Sequence, residues 1–565
     1  MRRSPVILSV ALSLALAAPA AAQQATQGLA GAYLAARSAV IDGNHRIAAA
    51  YFESALSADP GNPLLVGNAL FANAALGQWN RASEIAGMLD ADAPGQELAN
   101  LVALVQALRA GDLAAARAAI DAGRGAGPFI DDLALGWIFL GEGDMSRASE
   151  AFEAVGSDPV LADIAYTHLA LARAAVGDFE GADLILSGEA FGALSASERS
   201  IRARVEVLLQ LDRRDDALEL LEVFTQAVPD PALLALLDQI AGDDTVRPYD
   251  FITTPEEGLA EVFFSVARAL GSDGASITLP LLYTRAAHAI DPGLSAAVIF
   301  AGQLLNRDNQ HSLAADAFAQ VPPDDPQYVE AQLGRADAYF EEGRENPAVE
   351  VLQLLAETHP DLATVQATYG DILRRTDQCG PAVDAYTAAL DRVDITQQRY
   401  WFLYYTRGIC YERLSDYAAS EADFRQALVL NPDQPQVLNN LGYSLVEQRR
   451  SLDEALDMIE RAVAANPDSG YIVDSLGWVF YRLGRFEEAV EPMERAVELL
   501  PNDPIINDHL GDVYWMVGRE REAQFQWHRA LSFEPEEGDA DRIRRKLDIG
   551  LDAVLEAEGG VGENR

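Results

Sequence analysis

One lysine, Lys546, and two cysteines, Cys379 and Cys410, stand in 565 residues. A Ser-x-x-Lys nucleophile–base pair is excluded, because Ile543 stands where its serine would be. H-E-x-x-H, C-x-x-C, Walker and G-x-S-x-G patterns are all missing, and the seven histidines are scattered. Asp90-Ala-Asp92-Ala-Pro94-Gly95 opens like a calcium loop. It puts proline at a ligand position and has no closing glutamate, so it reads as a turn. Cations are scarce: 42 Lys and Arg oppose 87 Asp and Glu, a net charge of −45. Such a field repels nucleic acid and anionic lipid, favours basic partners, and keeps a chain soluble. No run of about 20 apolar residues occurs, so no transmembrane segment is expected. No strand-like alternation persists either, which leaves an all-α reading.

What is present is a repeat of about 34 residues. Leu441-Gly442, Leu476-Gly477 and Leu510-Gly511 head three successive units. Each continues with an alanine (Ala455, Ala489, Ala523) and a bulky residue (Ile459, Met493, Trp527). A second alanine (Ala462, Ala496, Ala530) and a proline (Pro467, Pro501, Pro535) complete it. Upstream, Gly408, Gly370, Ala336 and Gly302 hold the same frame, with an insertion near 392–398. Gly111-Asp112, Gly143-Asp144 and Gly177-Asp178 mark turns where glycine ends one helix and aspartate caps the next. The pattern is that of the tetratricopeptide repeat (TPR). It implies an α-α superhelix of about 13–14 helical hairpins, each burying its apolar face against its neighbours.

The frame is lost between 229 and 258, so two arrays are expected, 23–240 and 259–537, joined by a linker at 241–258 that is a hinge or a rigid kink. Residues 538–557 read as an amphipathic capping helix and 558–565 as a tail. Residues 1–22 read as a secretory signal: Arg2 and Arg3, an apolar run from Val6 to Ala17, then Ala20-Ala21-Ala22 before Gln23. No cysteine follows the cleavage site, so a lipoprotein signal is not indicated, and the periplasm is the expected location. In an oxidising compartment Cys379 and Cys410 are either a disulfide or two thiols packed as small hydrophobes. No metal or other cofactor is expected.

In such a hairpin the first helix lines the inner wall, and one stripe at helical spacing faces the groove. That stripe runs through Arg374, Arg375, Tyr405, Arg413, Asn439, Tyr443, Asp474, Trp478, Tyr481, Arg482, Asp508, Asp512 and Trp515. Aromatics beside Asn, Arg and Asp suit a protein or peptide partner, apolar area giving affinity and polar groups fixing a backbone. Trp478 and Tyr481 are expected at the groove surface. A glycan or small-ligand carrier of polysaccharide export is the alternative, its aromatics stacking on sugar rings.

The run Asp474-Ser-Leu-Gly-Trp478-Val-Phe-Tyr481-Arg-Leu-Gly-Arg485, with His509-Leu-Gly-Asp512-Val-Tyr-Trp515, resembles a proteobacterial group of secreted or lipidated TPR proteins. One branch of that group serves as adaptor for a carboxyl-terminal processing protease. The resemblance implies a non-catalytic adaptor in the envelope. The absence of a lipoprotein cysteine departs from the lipidated members.

Overall fold

The computed structural model describes residues 28–558 apart from 91–92, 228–229, 243–247 and 273–275. The signal segment and the tail from 559 lie outside the described residues, as does part of the linker. Among the described residues the chain forms 31 α-helices and no strand. These make fourteen helical hairpins, one unpaired helix at Pro231–Gly242 and a terminal pair at Glu537–Ile549 and Leu551–Ala557.

The local chemistry follows the repeat. Gly111, Gly143 and Gly177 take φ of +69°, +83° and +84°. The next residues, Asp112, Asp144 and Asp178, accept backbone N–H bonds from Ala115, Arg147 and Gly181 at 2.9, 3.1 and 2.9 Å. A left-handed glycine closes one helix and a carboxylate satisfies the orphan donors of the next. The anchor glycines permit close approach of the two helices of a hairpin. A Cβ on Gly477 would lie 2.5 Å from Met493, and one on Gly511 2.4 Å from Trp527. The insertion expected at 392–398 is the loop after the helix Cys379–Leu390, ending in a 3-10 turn at Gln398–Tyr400.

The chain divides into two compact units, through Val351 and from Leu352, so the division falls inside the helix Glu345–Thr358. The sequence places its break at 241–258 instead. In the first unit that break is a chain reversal. The helix Pro255–Ser272 packs across the first helices of three N-terminal hairpins, Gln96–Arg109, Pro128–Gly141 and Ala162–Ala175. The next helix, Thr278–Ile290, packs on Pro63–Ala75 and Gln96–Arg109. The wall that the repeat pattern offers to a partner is here covered by the chain itself.

The composition of the returning helix explains the fit. Leu259, Ala260, Val262, Phe263, Phe264, Val266 and Ala267 are all buried, as befits a helix that is apolar nearly all round. Gly258 lies against the Trp137 ring, where a Cβ would meet ring atoms at 2.2 Å. Polar groups are matched rather than excluded. Arg199 Nε donates to Glu261 Oε1 at 2.9 Å. Trp137 Nε1 donates to His168 Nδ1 at 3.1 Å, and His168 Nε2 meets Ser265 Oγ at 3.0 Å. Burial holds His168 down at about 4, so this imidazole is neutral at ordinary pH.

Because Trp137 cannot move without opening the core, Gly258→Val is expected to destabilise the first unit by about 2–3 kcal/mol. Urea unfolding followed by Trp fluorescence checks this. An unchanged midpoint would show that the helix is not seated on Trp137.

Candidate functional site

In the second unit the first helices of five hairpins are Ala363–Arg375, Trp401–Arg413, Pro435–Glu447, Gly470–Arg482 and Pro504–Met516. Side chains link each to the next. Asn440 Nδ2 donates to Tyr405 Oη at 3.3 Å. Trp478 Nε1 donates to Glu447 Oε1 at 2.7 Å, and Arg482 reaches the same oxygen at 3.5 Å. His509 Nδ1 lies 3.1 Å from both oxygens of Asp474. Further back, Arg413 donates to Asp377 at 2.9 Å and to the Arg374 carbonyl at 3.1 Å. Arg374 Nε donates to Tyr386 Oη at 3.3 Å, and that hydroxyl donates to Asp371 at 2.7 Å.

The residues of the predicted stripe are uneven in exposure. Arg375 and Arg413 are exposed. Arg374, Tyr405, Asn439, Tyr443, Arg482, Asp508 and Trp515 are half-buried. Asp474, Trp478, Tyr481 and Asp512 are buried. The surface position expected for Trp478 and Tyr481 is corrected: they are 7% and 5% exposed. Each ring is covered by its neighbours, Trp478 stacking on Tyr481 at 4.7 Å and on His509 at 4.0 Å. Two side chains in the row carry a buried oxygen without a hydrogen-bond donor, and for one of them, Asp512 Oδ2, Arg542 stands at 3.6 Å. Asn439 Oδ1 is buried and has no hydrogen-bond donor.

The C-terminal end of the row is closed by the cap. Lys546 Nζ donates to Asp508 at 2.7 Å and to Asp512 at 2.6 Å, with its side chain wholly buried. Arg542 approaches Asp512 at 3.6 Å, and Trp527 Nε1 donates to Asp512 at 3.0 Å. Trp515 Nε1 donates to Asp552 on the last helix at 3.1 Å. Asp508 and Asp512, expected to face a partner, instead fasten the cap. Pattern reasoning missed this partnership, although a sole lysine on an amphipathic C-terminal helix was the available signal.

Burial, and then Asp512, push Asp508 up to about 6, against the pull of Lys546. For His509, burial acts to lower the pKa, but Asp474, Asp508 and Asp512 outweigh it and the value is raised. Asp474, Asp508 and Asp512 thus face Lys546, Arg542 and His509, and the carboxylates favour the charged form of the imidazole. Both shifts have one sign. A group whose folded pKa exceeds its unfolded value stabilises the fold below the unfolded value. That stability is lost as pH rises through the folded one.

Cys379 and Cys410 are free thiols, both buried, so the disulfide alternative is not formed. They are neighbours: burial and then the Cys379 thiol push Cys410 up to about 12. Among the described residues no three His, Cys, Asp or Glu gather as a metal site would need, and no helix is long and apolar enough to cross a membrane.

Paired helices at this period, with small residues against bulky ones and a capped end, define a tetratricopeptide-repeat solenoid. Four segments match tetratricopeptide repeat models: 39–105, 330–361, 401–434 and 439–504. The TPR repeat-containing protein PA4667 of Pseudomonas aeruginosa is similar, 31% identical over 185 residues. The match covers 33% of this chain and 30% of that protein, so the chain spans under a third of this relative. Among solved structures, the Cut9 and Hcn1 hetero-tetramer of the APC/C aligns over 94% of this chain and 98% of that one, at 16% identity and a TM-score of 0.38. YrrB, described as a TPR protein with an unusual peptide-binding site, aligns over 35% and 99%, at 20% identity and a TM-score of 0.28. MamA from Desulfovibrio magneticus RS-1 aligns over 31% and 96%, also at 20% and 0.28.

Two outcomes are expected. Lys546→Met, which leaves Asp508 and Asp512 buried without their cation, costs about 3–5 kcal/mol, read as an earlier unfolding transition in calorimetry. The stability of the second unit falls as pH is raised from about 6 to 8.5, and His509→Gln flattens that fall by on the order of 1 kcal/mol. Parallel pH profiles for wild type and His509→Gln would remove the imidazole from the account.

Proposed function

We propose that this chain is a non-catalytic scaffold that holds an extended polypeptide along the first-helix wall of its second unit. The observation that carries this reading is Asn439. Its Oδ1 is buried without a donor. Adjacent Asn440, and Trp478 and Arg482 of the row, all have partners. A buried acceptor that lacks a donor costs about 1–3 kcal/mol, and a backbone N–H from a bound chain would satisfy it. Half-buried Tyr405 and Tyr443 flank it with apolar area, and exposed Glu447 and Arg413 supply charge of both signs at the edges. The covered wall of the first unit supports the assignment to the second.

The finer reading follows the resemblance noted in the sequence. The chain is an adaptor of the bacterial envelope, secreted by its leader into the periplasm, where it presents substrates to a processing protease. The strongly acidic surface favours partners with basic segments.

A photo-reactive residue in place of Tyr443 is expected to cross-link one discrete polypeptide in an envelope extract, and the same residue in place of exposed Tyr417 is not. Asn439→Leu is expected to weaken capture about ten-fold with helicity unchanged. Equal cross-linking from both positions, or full capture by Asn439→Leu, would sink the assignment.

A further inference from the structure

We propose that the first unit holds a binding site for a small oxyanion, a carboxylate or phosphate group, centred on Arg285. The site is a cavity of about 400 Å³ lined by Arg46, Leu76, Trp79, Arg109, Arg285 and His288. It lies where the helix Thr278–Ile290 meets the ends of the helices Pro63–Ala75 and Gln96–Arg109.

Arg285 is the anomaly. It is 8% exposed, its Nε is buried with no hydrogen-bond partner, and among the described residues no carboxylate pairs with it. This is a departure in a chain where acids outnumber cations by 87 to 42. Wholly buried Lys546 has two aspartates, and partly buried Arg199 and Arg407 have Glu261 and Asp423, whereas partly buried Arg335 has only Gln332 and Tyr339. A buried guanidinium without a counter-charge is costly, and Arg stays protonated where other groups would shed the charge. An anion supplied from solution resolves this.

The surroundings point the same way. His45 and His288 both lie close enough to Arg285 for its charge to lower them, after burial has done most of that work. The Nδ1 atoms of both histidines are buried without partners. Two of these unpartnered buried nitrogens, Arg285 Nε and His288 Nδ1, belong to residues that line the cavity. Arg109 reaches the rim, bonded only to neutral Asn80 and Gln106. The single acid in the lining, Asp316, is already engaged by Arg46. The Trp79 ring, held by its Nε1 bond to the Arg285 carbonyl at 3.2 Å, and Leu76 and Leu313 form the apolar wall. A planar guanidinium offers paired donors matched to carboxylate or phosphate oxygens. The His288 imidazole adds a donor once protonated. The overall field of the protein repels anions, so capture here depends on this local geometry.

The test is calorimetric and thermal titration of the full chain with inorganic phosphate and, separately, succinate, against chloride at constant ionic strength. At least one oxyanion is expected to bind and raise the first unfolding midpoint. Binding of phosphate alone assigns a phosphate ligand, and binding of succinate alone a carboxylate. Affinity rises as pH falls from about 8 to 6, because an anion facing Arg285, Arg46, Arg109 and Asp316 favours the protonated His45 and His288. Arg109→Gln, at the rim, weakens binding several-fold, and Arg285→Met abolishes it. In oxyanion-free buffer Arg285→Met is at least as stable as wild type, whereas a purely structural arginine would make it less stable. Histidine NMR gives a second readout in wild type, since the His45 and His288 resonances shift on saturation. Absence of binding by either anion, or unchanged binding in Arg285→Met, overturns the proposal.

Discussion

A helical hairpin of this kind cannot stand alone: its apolar faces must be covered on both sides, and every larger feature of the chain is a way of covering them. Along most of its length the cover is the next hairpin, brought close by glycine or alanine opposite a large side chain, as at Gly477 against Met493 and Gly511 against Trp527. Where the frame fails, the cover changes. Among the described residues the helix Pro231–Gly242 has no second helix of its own, and Pro255–Ser272 and Thr278–Ile290 lie over the preceding first helices. At the far end the cover is the terminal helix pair. The hydrophobic effect sets the requirement, and the three covers differ only in which part of the chain meets it.

Charge is handled within that frame. An acidic chain with few cations places several of them inside, each against a carboxylate, so that fixed ion pairs mark the joints. Arg199 with Glu261 ties the returning helix to the array, and Arg407 with Asp423 ties two helices of one hairpin. Lys546 ties the cap to the last hairpin. Such pairs add little net stability over apolar packing, but breaking one is expensive, and they make one register preferable to its neighbours. Arg285 stands apart because the fold gives it burial without a carboxylate.

The same covering logic divides the functional surface. A solenoid's inner wall is usually what it offers to partners, yet the first unit closes its own wall with its own helices. The row in the second unit is closed at its C-terminal end by the cap and stitched by Trp478, Tyr481 and His509. The partner stretch proposed above lies around Tyr405, Asn439 and Tyr443, where an acceptor lacks its donor.

Local features were legible in the residues because they depend on near neighbours in the chain. The helical period, the Gly-Asp turns, the glycine–bulky pairing and the 392–398 insertion all follow from steric and capping rules within one hairpin. The row from Arg374 to Trp515 was drawn on the same basis, since helical spacing alone puts those positions on one face. Burial along that row was not legible. Whether Trp478 meets solvent depends on His509, 31 residues on, and whether Asp512 meets a partner depends on Lys546 in a helix beyond the last repeat. The loss of phase near 241–258 was visible, but its meaning was not, because a broken repeat reads alike as a hinge or as a return. The sequence by itself determined the hairpins and their stacking order, through contacts short in chain distance. Only the tertiary structure decided which walls are covered and which buried charge is left without a partner, because those outcomes rest on contacts between residues as far apart as Trp79 and Arg285.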